Sequence, residues 1–286
     1  MGSQTANEPL KGEDWGGEMG ERWLANLDRF EAMIAPIGDA LLTRAAYEPG
    51  ERVIDIGPGG GATTRSIARA VAPGGEALGI DISPGLVAEA SRRAKAEGIT
   101  NARFRCADAA EVTLDEQPYG RLFSRFGSMF FAYPIPAFTN LRSLLADVAR
   151  IDLAVWGPPR ENLWMMEMMG VVREHVEVPR AEPRAPGPFA FEDLDYLREV
   201  LTEAGFGGIE VDAYEGRQAI GGPEASPEEA LEMVLSSMGV GRVVDEQDEP
   251  TRAAIRADLL ALFEQRHVPG EGVLMAAKAW LVSAAD

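Results

Sequence analysis

A short apolar strand that runs straight into a run of glycines constrains this chain more than any other feature. Residues 52–56 (RVIDI) lead into Gly57-Pro58-Gly59-Gly60-Gly61-Ala62, and residues 63–71 follow as a helix. Such a junction leaves helix-terminal amides free and, without Cβ atoms, lets a ligand approach the backbone closely. The rhythm then repeats. Residues 77–82 (ALGIDI) read as a second strand, Ser83-Pro84 cap and open a helix to about Glu97, and Gly98 stops it. Strands three, four and five are 102–108 (ARFRCAD), 120–126 (GRLFSRF) and 151–156 (IDLAVW), the fifth preceded by a helix over about 136–149. Two more, 207–214 (GGIEVDAY) and 272–284 (GVLMAAKAWLVSA), make seven. Strands alternating with helices predict an α/β architecture, a mostly parallel sheet covered on both faces.

The rest of the chain reads as additions to that sheet. Residues 1–16 are polar, with Trp15 as the one large anchor, and are expected to be a flexible tail. Over 17–48, Met19, Trp23, Leu27, Phe30 and Ile34 recur at helical spacing, and Pro36 is expected to divide this cap into two helices. Stretches 158–190 and 222–268 read as lid or cap insertions. The first carries a Met-rich helix over about 161–174; the second carries the capping box Ser226-Pro227-Glu228-Glu229 and a helix over about 250–266. With no repeat and no linker, 17–286 is expected to be one domain.

Composition narrows the function. The chain carries 27 Lys and Arg against 46 Asp and Glu, a net charge of −19. Such a surface repels phosphate backbones and anionic lipids, so neither nucleic acid nor a membrane is expected as a partner. One cysteine and two distant histidines, His175 and His267, offer no metal motif. No signal-peptide pattern and no run of about 18 apolar residues is present, so a cytoplasmic location is expected. Abundant Ala, Gly, Pro and Arg suggest a bacterial source.

The glycine turn also satisfies the dinucleotide pattern G-x-G-x-x-A, with Asp81 falling 24 positions after Gly57. Asp55 weighs against a pyrophosphate, because it places a negative charge just before the first glycine. It suits the ammonium of S-adenosylmethionine (SAM), reached indirectly or through water. Asp55, Asp81 and Asp108 end three successive strands, an order that matches amino acid, ribose and adenine. Each acid alone also reads as a helix cap or a solvated loop residue.

At these residues the chain resembles the class I SAM-dependent methyltransferases, in particular bacterial small-molecule enzymes akin to those of ubiquinone and menaquinone biosynthesis. The resemblance runs over about 15–286 through GERW (20–23), ERVIDIGPGGGATT (51–64), GIDIS (79–83), ADA (107–109), SRFGSMFF (124–131), AFTNLRSLL (137–145) and the closing AWLVSA. It implies a Rossmann-like, mostly parallel seven-stranded sheet whose last strand is antiparallel. It implies SAM as methyl donor and S-adenosylhomocysteine as product, with no metal. Gly57, Gly59 and Gly61 would wrap the amino-acid end, Asp81 the ribose, and Asp108 with Ala109 the adenine. Asp55, Pro58, Thr63, Ile82 and Arg125 complete the implied donor set, with the backbone of 124–127 facing the methionyl amino group. Two departures stand out: Pro58 replaces a small residue in the turn, and the usual Pro-Gly-Gly before strand five is missing.

A sulfonium methyl is already activated, so transfer needs mainly positioning and exclusion of water. His175 and Tyr133 are the candidate catalytic groups, His175 also reading as a solvent-facing helix end. Trp23, Phe130, Phe131, Tyr133, Trp156, Trp164, Met165 and Met168 are the candidate acceptor pocket. The Met-rich helix reads equally as core packing, and a homodimer contact is a further alternative. The leading expectation is methyl transfer to an O, N or C nucleophile of a small hydrophobic metabolite. A non-catalytic SAM-binding regulator and a nicotinamide-dependent oxidoreductase are the alternatives.

Overall fold

The computed structural model describes residues 14–115, 118–178 and 182–285. Two leading helices, α1 (Glu18–Ala25) and α2 (Leu27–Ala45), precede β1 (Arg52–Ile56), α3 (Ala62–Ala70), β2 (Glu76–Asp81), α4 (Pro84–Ala96) and β3 (Ala102–Cys106). Then come β4 (Tyr119–Arg125), α5 (Pro134–Ser143), β5 (Leu145–Trp156), α6 (Leu163–His175), α7 (Leu194–Glu203) and β6 (Gly207–Ile220). The chain continues through α8 (Pro227–Ser237), α9 (Gly239–Asp245), α10 (Glu249–Arg266), β7 (His267–Val268) and β8 (Gly272–Ala285).

The strands form one sheet in the order β3-β2-β1-β4-β5-β8-β6, with the two-residue β7 pairing β8. Strands β1 to β5 pair in parallel, and β8 runs antiparallel to both β5 and β6. The sheet is therefore the expected one with a short eighth strand added. Val53, Ile54, Ile56, Ala77, Leu78 and Ile80 are all buried, as parallel strands covered on both faces require. The order of connections reverses at β1, between β2 and β4, and the crevice beyond the carboxyl ends of strands at such a point is where open α/β sheets hold ligands. No helix among the described residues is long and apolar enough to cross a membrane.

Two local expectations need correction, and one helix needs adding. Pro36 does not divide the leading helices: it lies inside α2, and the break falls at Asn26, whose side-chain amide donates to Ser237 Oγ at 2.5 Å. Burial of Phe30, Met33, Ile34, Ile37 and Leu41 along one face of α2 outweighs the hydrogen bond Pro36 cannot make. The helix expected to reach Ala149 stops at Ser143, and β5 begins at Leu145, because Leu145 pairs with Tyr119 and Arg150 with both Arg121 and Ala285. Sheet pairing there overrides local helical preference. Helix α9 was not read from the sequence at all.

Candidate functional site

A cavity of about 930 Å³ opens at the carboxyl edge of β1, β2, β4 and β5, roofed by α1, α2, α6 and α9. Its floor is where two loops meet back to back. Gly57, at φ +65°, follows β1, and a Cβ there would lie 2.7 Å from Gly127 Cα in the loop after β4. Ser124 pins the two together: its Oγ donates to Ile56 O at 3.0 Å and accepts from Ser128 N at 3.1 Å. Between these glycines Phe126 is held at φ +66°, a conformation costly for a bulky residue and common where a backbone is shaped for a ligand.

Of the expected donor set, Gly57, Pro58, Gly59 and Arg125 line the cavity, as do Asp81, Ile82, Asp108 and Ala109. Asp81 Oδ2 accepts from Gly59 N at 3.0 Å and Oδ1 from Ser83 N at 2.9 Å, so the carboxylate that ends β2 also fixes the glycine turn. Burial raises its pKa, and those backbone amides oppose the rise. Ile82 beside it keeps 44% of its surface exposed, an uncovered apolar face on the cavity wall. Asp108 accepts from Ala110 N at 2.8 Å, which orients its carboxylate at the end of β3.

Asp55, Gly61 and Thr63 do not reach the cavity wall. Asp55 is fully buried beneath the turn, where Oδ2 accepts from Thr63 Oγ1 and Thr64 Oγ1 at 2.7 Å each and braces the start of α3. Its Oδ1 has no partner, and desolvation pushes its pKa up to about 6 despite the threonine hydrogen bonds and the charge of Arg125. Gly61 has φ +76°, and a Cβ there would strike the Phe104 ring at 2.7 Å and Ala90 at 2.8 Å. That glycine brings α3 down onto the sheet.

Aromatic rings and thioethers line the other half of the cavity. Trp23 stacks on Phe30 with centroids 3.9 Å apart, Trp15 meets Trp23 and Phe130 edge-on, and Phe126 stacks on Trp156 at 4.0 Å with Trp164 beyond. Trp23, Phe130, Phe131, Trp156, Trp164 and Met165 line it as expected, and Tyr133, 55% exposed, stands on its wall ahead of α5. Met168 faces the core, fully buried, and Met169, one position on, lines the cavity instead. His175 is absent from the wall: at the end of α6 its Nε2 lies 2.7 Å from Asp258 Oδ2 on α10, which removes it as a base for this site. Residues 1–13 of the expected tail lie outside the described residues. Its last three, 14–16, line the cavity.

Three residues that the sequence reading passed over matter most for the cavity's shape and charge. Glu31 projects from α2 against the glycine turn, and Val240 with Val243 closes the roof from α9. Glu31 did leave a signal, since it falls inside the apolar stripe of Leu27, Phe30 and Ile34, where a solvated carboxylate is out of place. Burial raises its pKa, opposed by the charges of Arg125, Arg93 and Arg65. Among the described residues no group of His, Cys, Asp and Glu could hold a metal ion.

Comparison with known proteins gives this arrangement a context. Residues 53–149 match a family described as a methyltransferase domain. Aklanonic acid methyltransferase DauC of Streptomyces sp. (strain C5) is 29% identical over 116 residues, 41% of this chain and 53% of that protein. Demethylmenaquinone methyltransferase of Tropheryma whipplei (strain Twist) is 30% identical over 129 residues, 43% and 48% of the two chains. The chain thus matches about half the length of these curated relatives. The YcgJ protein of Bacillus subtilis shares the fold, with a TM-score of 0.55 at 16% identity over 88% of this chain and 98% of that one.

Proposed function

We propose that the chain is a class I SAM-dependent methyltransferase, as its match to a methyltransferase domain over residues 53–149 supports, and that it transfers the methyl group of SAM to a small hydrophobic acceptor seated among its aromatic side chains. The observation that carries this reading is that the glycine turn and its acids share one continuous cavity with the aromatic half.

The residues fit SAM. Asp81 offers carboxylate oxygens for ribose hydroxyls, Ile82 a flat apolar face for the purine, and Asp108 with Ala109 the groups for its amino edge. Gly57, Pro58 and Gly59 leave the backbone open to the amino-acid end. Bound SAM supplies a methyl group on a positively charged sulfur, which needs no metal to activate it. The chain's own part is to orient and to keep water out. Trp23, Phe130, Trp156 and Trp164 enclose the acceptor, and Met165 with Met169 adjusts to its shape. Among the described residues no imidazole, amine or thiol lines the cavity, so a proton leaving an O, N or C nucleophile would pass to a carboxylate or to water. Tyr133 is the group assigned to orient the nucleophile.

The test is to incubate the protein with SAM and a panel of hydrophobic phenols, carboxylic acids, amines and carbon acids. Release of S-adenosylhomocysteine and a gain of one methyl by an acceptor are expected. Tight SAM binding with no acceptor-dependent turnover across the panel would favour the non-catalytic, SAM-binding alternative. A nicotinamide reading has no support in the matched family.

A further inference from the structure

Between the glycine turn and α2 the cavity wall carries two opposite charges that the structure leaves incompletely matched. Glu31 is only 12% exposed, and its Oε1 is buried without a hydrogen-bond partner. It abuts the turn so closely that a Cβ on Gly60 would lie 2.5 Å from that oxygen. Its other oxygen, Oε2, stands 3.5 Å from Arg93 Nη1, and the Ala62 amide also faces the carboxylate.

Arg125, at the end of β4, is the second charge. Its guanidinium is seated on α2 against Gly38, where a Cβ would fall 2.8 Å from Nη1. Gly38 lies seven positions after Glu31, two turns on, so one face of α2 presents the carboxylate and makes room for the guanidinium. Arg125 feels Glu31, Asp55 and Asp39 through space without a hydrogen bond to any of them, and desolvation lowers its pKa. Asp55 cannot serve a ligand here, since it lies under the turn with one oxygen held by Thr63 and Thr64. Glu31 thus leaves a buried acceptor unsatisfied beside a half-buried guanidinium on the same cavity wall, a cost that a ligand carrying both charges would relieve.

We infer that Glu31 and Arg125 together read the amino-acid end of the donor, Glu31 taking the α-ammonium and Arg125 the α-carboxylate. The inference rests on the donor reading above and goes beyond it by making a residue of the leading helices a determinant of which adenosyl compounds bind. A nucleoside with a complete α-amino-acid tail satisfies both charges. 5′-Methylthioadenosine, which lacks the tail, satisfies neither, and decarboxylated SAM satisfies Glu31 alone.

Calorimetric titration of the full chain tests this with SAM, S-adenosylhomocysteine, decarboxylated SAM and 5′-methylthioadenosine. Glu31→Gln keeps the shape and removes the charge; it should weaken S-adenosylhomocysteine and decarboxylated SAM by about 10-fold or more and leave 5′-methylthioadenosine unchanged. Arg125→Gln should weaken SAM by a similar factor and leave decarboxylated SAM unchanged. Arg125→Lys serves as a second variant should the glutamine form fail to fold, with a smaller loss in the same pattern. Equal losses for tailed and tailless nucleosides, or no loss in a folded variant, would overturn the assignment. Failure of the unaltered protein to bind any of the four would overturn the donor reading itself, a different and separately visible result.

Discussion

Replacing Asp81 by alanine perturbs donor recognition and the shape of the glycine turn at once, and the structure allows the two effects to be separated. The carboxylate accepts from Gly59 N and Ser83 N, so alanine strands two backbone donors. A hydrogen bond to a charged group contributes about 1.5–3 kcal/mol, and cavity water can replace part of it, so the expected loss of stability is about 2–4 kcal/mol. In binding, up to two charge-assisted hydrogen bonds to ribose disappear, about 3 kcal/mol or roughly 100-fold in affinity. Asp81→Asn keeps one acceptor oxygen, and about half of each effect is expected. Urea denaturation gives the stability term, and calorimetry with SAM, run on variants shown to be folded, gives the affinity term. A folded alanine or asparagine variant with undiminished SAM affinity would refute the placement of Asp81 in the donor site.

Other perturbations address the turn, the buried acid and the aromatic wall. The raised pKa of Asp55 means that the native state holds its proton more tightly than the unfolded chain does. This group's contribution to stability should therefore fall as pH rises from about 4 to about 6, by at most ~3 kcal/mol. Asp55→Asn, which keeps an oxygen for both threonines, should show a flatter stability profile over that window; an identical slope in denaturant titrations of the two proteins counts against this. Gly57→Ala, which forces a Cβ to 2.7 Å from Gly127 at φ +65°, should destabilise the fold by about 2 kcal/mol or more and abolish measurable SAM binding. Retention of both in melting and titration experiments would show that the two loops part easily. Trp15→Ala removes two edge-on ring contacts, worth about 0.5–1.5 kcal/mol each, from a residue at the cavity's rim. The KM for an accepted substrate should rise about 10-fold while the KM for SAM stays fixed, and the reverse split would move Trp15 to the donor side.

The parallel half of the sheet was legible because its signals are local. Strands β1 and β2 are short apolar runs ended by a glycine and an acid, and Ser83 and Ser226 cap α4 and α8 as their sequences indicate. Asp81, Ile82 and Asp108 were readable for the same reason, since position at a strand's carboxyl end fixes which edge a side chain occupies. The direction of the Asp55 side chain was not legible, because two threonine hydroxyls, eight and nine positions away, draw it beneath the turn. His175 looked available because nothing in its own helix shows that Asp258, 83 residues later, packs against it. Glu31 went unnoticed because a single acid in an apolar stripe gains meaning only once the turn and Arg125 are known to lie beside it.

The position of β8 governs the order in which this molecule can be completed. β8 lies between β5 and β6 and pairs with both, although it follows them in the chain. During synthesis, the glycine turn, its acids and the parallel strands β1 to β5 all leave the ribosome while the far side of β5 is still an open edge. Until β8 is made, β6 has no strand to join, and two sets of backbone amides and carbonyls await the same partner. The donor side can thus be assembled early, whereas the sheet as a whole closes in one late insertion. Chaperones that shield exposed strand edges would find their opportunity on this protein in that interval.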